Sequence, residues 1–191
     1  MPLFNSLDFN SNKLLLWEIT ESENELKNFL DLSDSIHSRL IKIRSNSQRR
    51  QFLAIQKLLK LLKIENRHLF YDSNGKPKLL NDQHISISHS FNYGGVVVSA
   101  SKVGLDIEKL RPKILSISKK FISHLELNLI QNKSIENITK VWTIKEAVFK
   151  AFGYSGIDFK ENILIESINM EFDRAKVKIY KNDTIEYYNI E

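Results

Sequence analysis

The spacing of apolar residues along this chain changes period, and it does so twice. Between Ser47 and Leu62 they recur at helical intervals: Phe52, Ile55, Leu58, Leu59 and Leu62 make a stripe, with Arg49, Gln56, Lys60 and Lys63 mostly off it. From His84 the period drops to two. His84-Ile85-Ser86-Ile87-Ser88 alternates, Val96-Val97-Val98-Ser99-Ala100 is β-branched, and Val103-Gly104-Leu105-Asp106-Ile107-Glu108 alternates again, with short turns that suggest antiparallel neighbours. Helical spacing then returns. One helix is expected from near Ile114, re-capped at Ser123 with Glu126 in capping-box position; a second runs from about Asn137 to Phe152 and stops at Gly153. Strand signals close the chain over residues 162–172, 176–180 and 184–190, the last two forming a hairpin around Lys181-Asn182-Asp183.

Earlier elements fit the same scheme. Residues 13–20 read as a strand, Ser22 to Glu25 has capping-box spacing ahead of Leu26, Phe29 and Leu30, and Tyr71 to Gly75 is a turn. The order helices-then-strands occurs twice without a flexible linker. It implies an α+β protein of two similar halves, residues 1–102 and 103–191, each with a small, mostly antiparallel sheet packed on helices.

A chain of 191 residues with 42% hydrophobic residues can build one fair-sized core or two small ones. No apolar run approaches the ~20 residues needed to span a bilayer. The start, Met1-Pro2-Leu3-Phe4-Asn5, lacks the basic and apolar stretches of a signal peptide. With no cysteine there are no disulfides or thiolate metal sites, so a soluble cytoplasmic protein without membrane attachment is expected. The net charge of +5 suits nucleic acid, an acidic protein or a phosphate-rich small molecule. The densest basic stretch, Ser45 to Arg50, is too thin for a nucleic-acid tail.

Three segments carry chemistry. Asp106 and Glu108, two apart on a predicted strand, leave the same face and repel unless a positive charge lies between them. Taken alone, such a pair is most often a solvent-facing edge. Glu146 and Lys150 share a helix face within Trp142-Thr143-Ile144-Lys145-Glu146-Ala147-Val148-Phe149-Lys150; alone they would be a surface ion pair. His89, flanked by Ser88 and Ser90 and followed by Gly94-Gly95, read as a sharp turn, offers hydrogen-bond donors to an anion.

Together, Ser-His-Ser, then Gly-Leu-Asp-Ile-Glu, then Trp-x-x-Lys-Glu-Ala-x-x-Lys resembles the signature of the 4′-phosphopantetheinyl transferases, in particular the two-half enzymes that work as monomers. Gly75-Lys76-Pro77 matches the Gly-Lys-Pro that precedes Ser-His in that family, and the likeness spans about Arg50 to Gly153. The resemblance implies two halves related by pseudo-twofold symmetry. It implies a magnesium-dependent transfer of 4′-phosphopantetheine from coenzyme A to a serine of an apo acyl, peptidyl or polyketide carrier protein, releasing adenosine 3′,5′-bisphosphate. Asp106, Glu108 and Glu146 would bind Mg2+. Lys150 would reach the diphosphate, and Lys145 would either help it or lie at the surface. Arg50, Lys76, Ser88 and His89 would meet the nucleotide phosphates. Glu146, or else Glu108, would take the serine proton. Trp142 would pack the helix, and Phe121, Ile122 and Leu125 would face the carrier.

Two-half relatives usually continue past the final hairpin with another apolar strand. The expectation here is either a natural minimal form or a truncated chain, with sheet edge exposed. A coenzyme A-binding relative without turnover, a basic nucleic-acid module and a nuclease-type triple-acid site are the competing readings. The last two leave Ser-His and Gly-Lys-Pro unexplained or lack a basic stripe with aromatic residues.

Overall fold

A computed structural model describes residues 3–9, 12–130 and 132–191. Met1 and Pro2, where the reading of the N-terminus begins, lie outside the described residues. The chain divides into two compact units, Met1–Ile107 and Glu108–Glu191. Both combine helices with antiparallel strands, so the protein is α+β. Among the described residues, no helix is long and apolar enough to cross a membrane.

The first unit contains β1 (Leu3–Phe9), β2 (Asn12–Glu18), α1 (Glu23–Asn28), α2 (Asp34–Lys42) and α3 (Asn46–Leu61). It continues with β3 (Leu69–Tyr71), β4 (Pro77–Leu79), β5 (His84–Ser90) and β6 (Tyr93–Ser99). Four strands form an antiparallel sheet in the order β1-β2-β6-β5, while β3 and β4 pair separately. Two strong N-caps start the helices. Ser22 and Glu25 make the reciprocal capping box that their spacing predicts, and the Ser45 hydroxyl accepts from the Gln48 amide. The core gathers Leu53, Ala54, Ile55, Leu58 and Leu59 of α3 against Leu15, Trp17, Ile85 and Val96 of the sheet.

Gly94 and Gly95 are not the turn that the sequence suggests. They lie inside β6, and the chain reverses instead at Phe91, whose φ is 53°. Consecutive strand residues face opposite ways, and each glycine makes room on its own face. A Cβ on Gly94 would stand 3.2 Å from Ile55 Cδ1 of α3. One on Gly95 would stand 2.8 Å from Leu105 Cδ2 and from Leu16 Cδ2.

That second contact shows what residues 103–108 do. They form no strand. The segment runs extended, and its amides bond to serine side chains in place of a ladder: Leu105 N–H donates to Ser86 Oγ at 3.0 Å and Ile107 N–H to Ser88 Oγ at 3.1 Å. The strand β1 was not anticipated, nor was α2.

The second unit contains α4 (Lys113–Ile117), α5 (Ile135–Phe152), β7 (Ile163–Ile168), β8 (Ala175–Lys181) and β9 (Thr184–Ile190), with sheet order β7-β8-β9. The helix expected from Ile114 is a single short one. The Ser116 and Ser118 hydroxyls bond back to the carbonyls of Lys113 and Leu115 at 2.8 Å, offering the backbone an alternative to helix. In contrast, α5 starts at the Ser134 cap and ends at Gly153, whose φ of 79° suits a residue without Cβ. Its inner face packs Ile138, Val141, Ile144 and Val148 on Ile163, Val177 and Ile179 of the sheet.

Candidate functional site

In the first unit, Asp106 is oriented by β5. The Ser88 hydroxyl, which accepts from Ile107 N–H, donates to Asp106 Oδ1 at 3.2 Å. One buried serine therefore fixes both the backbone that carries the acid and one oxygen of the carboxylate. His89 is exposed, and as the next residue along β5 it leaves the face that Ser88 uses.

Lys76 follows Gly75, which has φ 78°, in a turn closed by Asp72: the Asp72 carboxylate accepts from the amides of Asn74 and Lys76 at 2.9 and 3.0 Å. Near it is a group that the motifs did not point to. Burial, helped by the Lys76, Lys78 and Lys102 ammoniums, pushes His84 below the usual histidine range. This basic cluster left a trace in the sequence only as scattered lysines.

Arg50 is half-buried, and much of its guanidinium is already engaged. Nε donates to the Glu21 carbonyl at 2.7 Å and Nη2 to the Ile19 carbonyl at 2.8 Å. It thus ties the start of α3 to the connection between β2 and α1.

In the second unit the motif helix presents Trp142, Glu146 and Lys150 at four-residue steps, hence on one face. Glu146 and Lys150 are half-buried. Trp142 is wedged between Phe121, edge-on at 4.8 Å, and Phe159, stacked at 5.2 Å. So held, its Nε1–H donates to Glu108 Oε1 at 3.2 Å. The packing role read for Trp142 is present, and with it an orienting bond to an acid of the other motif. Glu108 is thereby drawn to the helix face that also carries Glu146.

Lys145 is neither a diphosphate ligand nor a surface residue. Its side chain is 0% exposed and its ammonium reaches Glu126, itself 2% exposed, at 2.8 Å. It also donates to the carbonyls of Phe159 at 2.8 Å and Ile163 at 2.6 Å, which uses its three hydrogens. Glu126 is equally occupied, accepting from the amides of Ser123 and Ile165 at 2.7 and 2.9 Å. The capping box expected at Ser123 therefore forms, but its acid also closes a buried ion pair. Burial lowers the Lys145 pKa, and the Glu126 charge opposes the shift. Phe121 and Ile122, 2% and 4% exposed, belong to the core and cannot meet a partner; Leu125, 75% exposed, can.

Among the described residues, neither unit gathers three acidic or histidine side chains of its own into a metal-sized group. The sequence-derived ligand set draws on both units, Asp106 from the first and Glu108 and Glu146 from the second. All three donors are carboxylates, the hard oxygen type that suits magnesium.

Comparison with known proteins bears on the whole chain. Residues 102–190 match the family model described as the 4′-phosphopantetheinyl transferase superfamily. The chain is 26% identical over 187 residues to the 4′-phosphopantetheinyl transferase gsp of Aneurinibacillus migulanus, covering 95% of this chain and 70% of that relative. It is 35% identical over 85 residues to a 4′-phosphopantetheinyl transferase of Bacillus subtilis, covering 41% of this chain and 38% of the relative. The 4′-phosphopantetheinyl transferase Sfp of Bacillus subtilis (strain 168) is 34% identical over 85 residues, with the same coverage of 41% and 38%. The last two matches thus span well under half the length of those relatives.

Proposed function

The chain belongs to the 4′-phosphopantetheinyl transferase superfamily, and from this we propose that it transfers 4′-phosphopantetheine from coenzyme A to a serine of an apo carrier protein. One local observation carries the reading furthest: the acids of the Asp-x-Glu motif are each aimed by a side chain from another motif, Asp106 by Ser88 and Glu108 by Trp142. Harmless edge acids would have no need of such support.

Asp106, Glu108 and Glu146 would hold a magnesium ion, which when bound supplies positive charge to the diphosphate and to the phosphorus under attack. Lys150 would neutralise charge on the departing bisphosphate. Lys76, Ser88, His89 and Arg50 would meet the nucleotide phosphates, joined by the cluster of Lys78, His84 and Lys102. Arg50 would do so with the part of its guanidinium not spent on Glu21 and Ile19. The carrier serine oxygen forms the new bond to phosphorus as the bond to adenosine 3′,5′-bisphosphate breaks. Glu146 would accept the serine proton, with Glu108 the second candidate.

For the carrier we propose the surface over residues 109–125. Leu110, Leu115 and Leu125 are exposed there. Lys109, Arg111, Lys113, Lys119 and Lys120 accompany them, and no acid occurs between Glu108 and Glu126. An acidic partner with an apolar patch fits this composition.

The test is intact-mass spectrometry of several apo carriers after incubation with the protein, coenzyme A and magnesium. Addition of one phosphopantetheine to the carrier serine, lost with chelator and with Asp106→Ala, is expected. Coenzyme A binding without transfer to any carrier would replace this reading with that of a non-catalytic relative.

A further inference from the structure

The buried Glu126–Lys145 pair takes no part in the proposed transfer, yet it gathers a great deal of backbone. Replacing such a pair by apolar residues of similar volume is often neutral or stabilising, so its use lies in what its bonds orient. The carboxylate accepts from the amides of Ser123 at 2.7 Å and Ile165 at 2.9 Å. The ammonium donates to the carbonyls of Phe159 at 2.8 Å and Ile163 at 2.6 Å. Four backbone groups outside α5 are thereby tied to one side chain of that helix.

Two of the four lead to the same place. Trp142, three residues before Lys145 on α5, lies between the rings of Phe159, stacked at 5.2 Å, and Phe121, edge-on at 4.8 Å. Lys145 holds the Phe159 carbonyl. Glu126 holds the amide of Ser123, two residues after Phe121. The pair therefore anchors the backbone behind both walls of the slot that takes the indole. The turn carrying Phe159 is itself braced, since Asp158 Oδ1 accepts from the amides of Lys160 and Glu161 at 2.8 and 2.9 Å. Phe149 also packs on the Phe159 ring at 5.2 Å. A shift of the anchored carbonyl would carry that ring with it. The indole so held donates to Glu108 Oε1 at 3.2 Å.

We propose that Glu126 and Lys145 are positioning residues for Glu108. The ion pair sets the gap between Phe121 and Phe159, the gap fixes the indole, and the indole N–H aims the carboxylate. The consequence for activity rests on the transferase reading, in which Glu108 is a magnesium ligand. Groups that orient a metal ligand typically change metal affinity about 10–100-fold when they are removed.

The test follows the Trp142 indole N–H resonance by NMR in the full chain. In wild type, Glu108→Gln should shift that resonance and leave the indole of Trp17, in the other unit, in place. In the Glu126→Leu/Lys145→Met variant the shift caused by Glu108→Gln should largely vanish. Phe159→Leu, which removes one wall and leaves the ion pair intact, should have the same effect. Val148→Ala opens a cavity at a buried position elsewhere on α5. It should lower the Tm and keep the full shift, which separates positioning from stability. In transfer assays the half-saturating magnesium concentration should rise roughly tenfold in the pair variant, and Trp142→Phe should add little to that rise. An undiminished indole shift in both the pair variant and Phe159→Leu, or additive magnesium effects, overturns the proposal. The NMR result requires no turnover, so it decides the positioning role separately from the transferase reading.

Discussion

A buried lysine beside a proposed catalytic acid is the clearest case in this protein of a residue whose role depends on where its side chain points. Lys145 and Glu146 are adjacent in sequence, yet helical geometry sends one into the core and the other to the motif face. Lys145 joins α5 to Glu126, Phe159 and Ile163. Its replacement by Met leaves a buried carboxylate unpaired, at a cost of about 3–5 kcal/mol. The double variant Glu126→Leu/Lys145→Met should recover a good part of that. It should stay about 2 kcal/mol below wild type, because the Phe159 and Ile163 carbonyls lose their donor. Urea unfolding of both single variants and the pair measures the coupling; additive losses would contradict the ion-pair account. A second residue-level expectation concerns His84. Its folded pKa is depressed, chiefly by burial, so the unfolded chain takes up the proton first as pH falls. The contribution is therefore absent as a penalty above the unfolded value of 6.5 and destabilises progressively below it. NMR titration of the imidazole, with Tm measured on either side of that pH, should show this, and His84→Gln should flatten the profile.

Elements were legible where local signals agreed and illegible where a partner decided. α5 could be placed because its apolar period, its Ser134 cap and its Gly153 stop all point the same way. The sequence of residues 103–108 alternates as that of a strand does. It carries no information about what receives the amides, and here Ser86 and Ser88 hydroxyls do so. Hence the acids could be picked out, whereas the device that orients them could not. β1 escaped notice because Leu3-Phe4-Asn5-Ser6-Leu7-Asp8-Phe9 lacks clean alternation and pairs only with β2, at the sheet's edge. The carrier-facing assignment of Phe121 and Ile122 failed for a related reason: apolar residues in a loop-rich stretch give no sign of which face the core. The Gly95 contact tests the crossing directly. A methyl there would press on Leu16, Leu105 and Ile107, so Gly95→Ala should destabilise by about 1–3 kcal/mol and displace Asp106. Thermal unfolding and magnesium titration of the variant would check both effects; an unchanged Tm would mean that the segment is not held against β6.

At the scale of the whole chain the charge of +5 becomes relevant to encounter. If the partner is acidic, kcat/KM for the carrier should fall roughly tenfold between about 0.05 and 0.3 M salt, as screening removes long-range steering. The kcat at saturating carrier should change far less, and a flat kcat/KM would argue against electrostatic steering. The division into two compact units also places the only two tryptophans one in each. Trp17 is buried in the first, with Lys57 over its ring at 4.3 Å and its indole N–H on Glu21. Trp142 lies between two phenylalanines in the second, bonded to Glu108. Each unit thus contains its own fluorophore, and Trp17→Phe and Trp142→Phe would yield two single-emitter proteins. With them, the melting of either unit, and any event that engages Glu108, becomes visible as a separate optical signal.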